Sequence, residues 1–581
     1  MDSSNSNSKA EHVTEEKCGK KYSRKVITIS LLSFSFLLLL LIAGIIAGVL
    51  TPTRRKKSTT PAPQPTTDQS IVYICSVTQY PESCNWSLSS YFHSFNSSNS
   101  EPLGIKNLVK LSIQVSLEEL TNLSTNLTSD EKFNINDQAN PALGKALNNC
   151  RILIKDAVEH IQMSLSSAAL QSLTSHMNDI RTWLSTAVTS QEACTDGLSE
   201  STNQSTLLYS FTESIRYSKE FTSNSLAIVS NLLTLIPRSD VPKRKLLQSS
   251  TSDPNGELPM WMNNRRLIGY ESPEPDLVVA RDGSGDFETI SEAVKAIPKM
   301  KKKRFSIYVK RGEYVENVEV HSDQWNVLMY GDGMYATVVS GSLNFDDGTP
   351  TYSTATFGVS GRGFVAKDMG FRNTAGPKKH QAVAVRSSSD QSVFFRCSFD
   401  AYQDTLFALS NRQFYRDCVV IGTIDFIFGN AAVVFQNCSI RVRQPLPGQF
   451  NAVTAQGRTD PNQNTGTSVH KCSVAGYDEE LTARTYLGRP WKNYSRAVVM
   501  STEIGGVVDP MGWAEWVPGR DPPETIFYAE DGNMGAGSSV GQRVRWRGYK
   551  SKMSGKEREA FSVKSFIQGD EWLPETGVTY E

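Results

Sequence analysis

Two aspartates occupy the same place in an internal repeat. Asp404 follows Cys397 by seven residues, and Asp425 follows Cys418 by seven. The segments FFRCSF (Phe394–Phe399), FYRDCVV (Phe414–Val420), VFQNCSI (Val434–Ile440) and VHKCSV (Val469–Val474) are variants of one short strand. Their cysteines, Cys397, Cys418, Cys438 and Cys472, lie 21, 20 and 34 residues apart by subtraction. A period near twenty in alternating, Gly- and Asn-punctuated sequence predicts a solenoid of stacked coils, here a right-handed parallel β-helix. Equivalent positions on adjacent coils lie ~4.8 Å apart, so the two carboxyls would be neighbours. Two carboxyls that close do not both ionise, and one keeps its proton. A charged carboxylate beside a protonated one can serve as nucleophile and acid/base. Spacing alone is equally compatible with stacked aspartates that only satisfy turn backbone.

Other residues bear on that choice. Gln381 and Gln403 offer side-chain N–H donors, Arg489 offers a planar guanidinium that grips a carboxylate with two hydrogen bonds, and Trp491 offers a flat apolar face. Five motifs run in chain order: Gly312-Glu313-Tyr314-Val315-Glu316, Gln381-Ala382-Val383-Ala384, Gln403-Asp404-Thr405-Leu406, Asp425-Phe426-Ile427-Phe428-Gly429 and Leu487-Gly488-Arg489-Pro490-Trp491. This set resembles the signature of plant pectin methylesterases, and the likeness spans essentially all of 273–581. Departures such as Val385, Phe407 and Gly535-Ala536-Gly537 touch no candidate catalytic position.

The resemblance implies a carboxylic ester hydrolase acting on methyl-esterified homogalacturonan and releasing methanol. In it Asp425 would attack the C6 ester carbonyl and Arg489 would keep Asp425 ionised and oriented. Asp404 would protonate the leaving methanol and then deprotonate water. Gln381 and Gln403 would donate to the oxyanion, Trp491 would face a sugar ring, and Thr351 matches a substrate-contact position. The family also pairs Cys418 with Cys438. A Cys438–Cys472 bond or reduced thiols are alternatives on the residues themselves. A serine esterase would pair a Gly-x-Ser-x-Gly elbow with a histidine, and His321, His380 and His470 sit in no pattern of that kind. Two aspartates with two glutamines and an arginine fit a metal poorly, so no metal or organic cofactor is implied.

Positioning those side chains requires more than one folded unit, since 581 residues exceed one ordinary core. Lys plus Arg equals Asp plus Glu at 60 each, so the chain has no general pull toward nucleic acid. Residues 1–25 read as a cytoplasmic tail, and Val26–Leu50 is an uncharged apolar run long enough for a transmembrane signal-anchor. Residues 51–70 form a Thr/Pro spacer. From 71 to 236 apolar residues recur at helical steps, as in Ile113, Leu117, Leu120, Leu123, Leu127 and in Leu143, Leu147, Cys150, Ile154. These predict an all-α four-helix bundle with polar outer faces.

Cys75 with Cys84 and Cys150 with Cys194, and the sequence CSVTQYPESC around the first pair, resemble the pectin methylesterase inhibitor family. The sequence also allows the other pairings of these four cysteines. Residues 237–272 lose periodicity, and Arg244-Lys245-Leu246-Leu247 is a candidate processing-protease site in that linker. Sequons at Asn85, Asn96, Asn122, Asn126, Asn203, Asn437 and Asn493 point to a glycosylated, extracellular body. The expected whole is a membrane-anchored precursor that matures in the cell wall. Its helical domain would act as an autoinhibitor, and separate inhibitor proteins are possible partners. The rival reading makes the chain an inhibitor or binding protein with a silent esterase domain.

Overall fold

The computed structural model describes residues 66–95, 104–129, 140–169, 173–202, 205–235 and 274–581. Six helices come first: α1 (Thr67–Cys75), α2 (Pro81–Phe95), α3 (Ile105–Ser129), α4 (Pro141–Ala169), α5 (Leu173–Ser201) and α6 (Ser205–Leu235). The long α3 to α6 form the bundle. Ile113, Leu120, Leu123 and Leu127 of α3 and Leu143, Leu147, Cys150, Ile154 and Ile161 of α4 are all buried, as their spacing requires. Disulfides Cys75–Cys84 and Cys150–Cys194 close the α1–α2 turn and tie α4 to α5. Both are the expected pairs.

From Leu277 onward the chain winds into a solenoid of three parallel sheets with eleven, seven and eight strands. Apolar residues alternate inward: Phe305, Ile307 and Val309 are buried and the residues between them are half-buried. Aromatic rings repeat at one inner position, with Phe394 stacked on Tyr415 at 4.9 Å and Tyr415 on Phe435 at 4.6 Å. Every coil must turn sharply at the same corner. Asp368, Arg396, Asp417, Asn437, Lys471 and Ser501, each with φ between 48° and 55°, make that corner in left-handed backbone. Strands pair only with strands, and two core clusters contain no bundle residue. The β-helix therefore closes its inner core without the bundle, while Val383, Phe407, Leu409 and Phe428 on its flank share a cluster with the bundle's apolar residues.

The bundle lies on the β-helix through α5, whose polar face meets the turns that follow the seven-stranded sheet. Arg412, 1 % exposed, holds Asp390 with two hydrogen bonds and Asp179 of α5 at 2.9 Å. Farther along, Thr186 donates to Asn411 and Asn430 donates to Thr189. Asn411 also donates to His160 of α4 at 3.0 Å. These buried polar groups are satisfied across the junction, as burial demands.

Two expectations need correction. The fold class as read from sequence counted a transmembrane helix. Among the described residues no helix is long and apolar enough to cross a membrane, and the expected span, 26–50, lies outside the described residues. The Cys418–Cys438 disulfide is not formed either: Cys397, Cys418, Cys438 and Cys472 are buried free thiols. They stack in register on successive coils, and each S–H points to a backbone carbonyl. Cys418 Sγ lies 3.3 Å from Phe394 O, and Cys472 Sγ lies 3.4 Å from Phe435 O. The linker, with Arg244–Leu247, also lies outside the described residues.

Candidate active site

The seven-stranded sheet builds the site at its strand beginnings. Leu406 pairs with Ile427 and Phe407 with Phe428, so Asp404 and Asp425, two residues earlier on each coil, share one corner of consecutive turns. Both stand in left-handed backbone, at φ 64° and 51°. That conformation is uncommon for a residue with a Cβ, and its repetition fixes both carboxyls in one direction. Gln381 and Gln403 bridge on the neighbouring turn. Arg489 arrives from the strand Thr485–Pro490, paired beside Ala455. Its Nε and Nη2 donate to the two oxygens of Asp425 at 2.8 and 2.5 Å. Its guanidinium lies 4.3 Å from the Trp516 ring centroid, which stops the fork from swinging.

The two carboxyls are unlike. Burial, the charge of Asp425 and the charge of Glu200 push Asp404 well above the usual carboxylate range, against a smaller opposing pull from Arg489. Burial raises Asp425 too, but the hydrogen bonds and charge of Arg489 oppose it directly. Asp404 therefore holds its proton more tightly and Asp425 ionises first. One buried neutral acid beside one buried anion, with amide donors nearby, suits acyl transfer through a covalent intermediate.

These groups line a cleft of about 230 Å³. The residues the sequence singled out for the reaction, Thr351, Gln381, Gln403, Asp404, Asp425, Arg489 and Trp491, all line it. Three groups were missed. An aromatic wall completes the floor: Phe407 stacks on Phe428 at 4.2 Å, and Trp491 lies 6.2 Å from Trp516. Phe428 stood inside a quoted motif, whereas Trp516 lies in an irregular loop with no spacing to mark it. Tyr352, next to Thr351, was also overlooked; its hydroxyl is pushed up to about 12 by burial. The roof is the third. Ala193, Asp196, Gly197 and Glu200 of α5 line the same cleft. Glu200 Oε2 accepts from Thr351 Oγ1 at 2.9 Å.

A family model described as pectinesterase matches residues 276–570, and one described as plant invertase/pectin methylesterase inhibitor matches residues 69–228. The chain belongs to the pectinesterase family. Over 524 residues it is 48 % identical to Pectinesterase 3 of Phaseolus vulgaris, covering 88 % of this chain and 87 % of that one. It is 42 % identical over 573 residues to probable pectinesterase/pectinesterase inhibitor 46 of Arabidopsis thaliana, with 98 % of each chain covered. A solved pectin methylesterase from carrot is 47 % identical with a TM-score of 0.52, covering 54 % of this chain and 98 % of the carrot chain. This pectinesterase thus joins an esterase β-helix to an inhibitor-type bundle in one polypeptide.

Among the sequons of this pectinesterase, Asn122, Asn126, Asn437 and Asn493 are exposed. Asn85 is half-buried, and Asn96 and Asn203 lie outside the described residues. Asn437 also makes a coil corner, donating to Asp417 at 2.6 Å. Among the described residues no group of His, Cys, Asp and Glu could hold a metal ion.

Proposed function

We propose that the protein removes methyl groups from pectin in the cell wall by covalent catalysis at Asp425. The ionised Asp425 adds to the C6 ester carbonyl. Gln381 and Gln403 donate to the developing oxyanion, a role whose loss costs ~3–4 kcal/mol per donor in comparable sites. Asp404 gives its proton to the departing methoxide, so methanol leaves and an acyl-Asp425 anhydride remains. Asp404, now a base, takes a proton from water as that water attacks the anhydride, releasing galacturonate and restoring both side chains. Thr351 and the aromatic wall at Trp491 hold the sugar. The observation that carries this reading is the two-point grip of Arg489 on Asp425, with Asp404 at the same corner of the neighbouring coil.

The bundle's place supports a second part of the proposal: that it restrains the esterase in cis until a protease cuts at 244–247. With α5 as its roof the cleft holds about 230 Å³, less than the ~300–1,000 Å³ of ordinary ligand sites. Glu200 also takes the Thr351 hydroxyl that a substrate would need. Methanol release from methyl-esterified homogalacturonan tests both parts. Asp425→Asn in the β-helix chain should lose nearly all activity while keeping its melting temperature, and retained activity would refute the nucleophile. The uncut chain should be far slower than the cut one. Equal rates would remove the restraint.

A further inference from the structure

Lys492 follows Trp491 at the rim of the cleft, and two carboxylates hold it there. Its Nζ lies 3.2 Å from Glu192 Oε1 and 2.6 Å from Asp196 Oδ1. Both belong to α5, and Asp196 itself lines the cleft. Among the described residues Lys492 makes no ion pair with a carboxylate of its own β-helix. Burial disfavours its charge, and Asp196 and Glu192 more than offset that. Among the described residues the one base lining the cleft is Arg489, and its Nε and Nη2 are spent on Asp425. Once the bundle leaves, Lys492 loses both counter-charges and the cover that α5 gives it, beside an open groove.

What α5 puts into that groove has a definite chemical pattern. Glu192, Asp196 and Glu200 follow one another at four-residue steps on one helix face, ~6 Å apart along the axis. The first two engage Lys492 and the third engages Thr351. A row of regularly spaced carboxylates is also what a stretch of pectin presents after its esters are removed. A protein segment that lies in a substrate groove with the substrate's charge pattern shows which side chains of the groove read that charge. Here the reader is Lys492.

We propose that Lys492 is a specificity-determining residue that binds the free carboxylate of a galacturonate next to the ester presented to Asp425, and that Glu192 and Asp196 imitate that carboxylate while the bundle is docked. This rests on the esterase reading above. The competing role for Lys492 is a mere anchor for α5, which would matter only while the bundle is present.

The test uses the β-helix chain 273–581, which closes its inner core, with Lys492→Ala and Lys492→Arg variants. Methanol release is measured on two oligogalacturonide methyl esters, one fully esterified and one with free and esterified units in alternation. The readout is the ratio of kcat/KM on the second to that on the first. Because the ratio is taken within each preparation, any loss of folded enzyme cancels. In Lys492→Ala the ratio should fall about tenfold, equivalent to ~1.4 kcal/mol, and the fall should sit in KM. Lys492→Arg keeps the charge and should stay within about twofold of the parent. Added salt should shrink the parent's preference and leave that of Lys492→Ala flat. An unchanged ratio in Lys492→Ala overturns the proposal and leaves an anchor. An equal fall in both variants overturns it as well, because packing rather than charge would then be responsible. No methanol from either ester with the unsubstituted chain would sink the esterase reading itself.

Discussion

Arg489→Lys separates what the guanidinium does for Asp425 from what any cation would do. Asp425 is 6 % exposed, and each of its oxygens receives one N–H from Arg489, at 2.8 and 2.5 Å. An ammonium is a point charge and reaches one oxygen at a time, so the variant keeps the charge and loses one charge-assisted hydrogen bond. Such a bond contributes ~1.5–3 kcal/mol, and ~1.4 kcal/mol of differential stabilisation is one pKa unit. Asp425 acts as the anion and Arg489 stabilises the anion, so the loss raises the pH at which Asp425 ionises. The acid limb of kcat against pH should therefore move upward by roughly one to two units. The assay is methanol release by the β-helix chain across pH, with melting curves as a check on folding. If the rate drops by the same factor at every pH and the limb stays in place, the guanidinium acts on the substrate and the pairing argument fails.

Two other expectations follow from the same electrostatics. Asp404→Asn removes the acid/base, so kcat should fall by about 10²–10⁴, and the alkaline limb set by its proton should vanish; a surviving limb would assign that proton elsewhere. Docking of the bundle should tighten in mild acid and loosen as pH rises. Burial in the closed junction raises Asp196 and Glu200 above their ordinary range. A carboxyl whose pKa rises on docking takes up a proton, so that part of the affinity is full below its free value and is lost above its docked one. Glu192 goes the other way, because Lys219 and Lys492 outweigh its burial and hold it low, which weakens docking only in stronger acid. Release of the bundle from linker-cut protein, followed across pH, checks this, and faster release in mild acid than near neutrality would contradict it.

The solenoid was legible because its period is written in residue types: cysteines and aromatic residues return every twenty or so positions, and the coil dictates that they stack. That periodicity also brought Asp404 and Asp425 together, since a parallel β-helix maps sequence offset directly onto spatial adjacency. The thiol ladder shows where reading residues alone stops. Register puts Cys418 beside Cys438 either way, and the stacked S–H groups are accommodated by backbone carbonyls instead of a bond. Trp516 escaped notice for the opposite reason, because it comes from a loop with no period.

The polar face of α5 is the deeper case. Asp179, Thr182, Thr186, Thr189, Glu192, Asp196 and Glu200 recur at three- and four-residue steps, which in a bundle helix reads as the solvated side. The structure buries Thr182 and Thr186 to 1 % exposure against the β-helix. Hydropathy cannot tell a stripe facing water from one facing another polar surface, since both demand hydrogen-bonding groups. The difference lies in the partner, and the partners Asn411, Asn430, Arg412 and Lys492 are more than two hundred residues away in sequence. Apolar contact is also present at the junction, where Phe407, Leu409 and Phe428 join the bundle's hydrophobic cluster, but those residues read in sequence as ordinary core. Under the proposed release of the bundle, the polar part of that face would let the same β-helix surface serve a helix first and a hydrated, anionic polysaccharide afterwards.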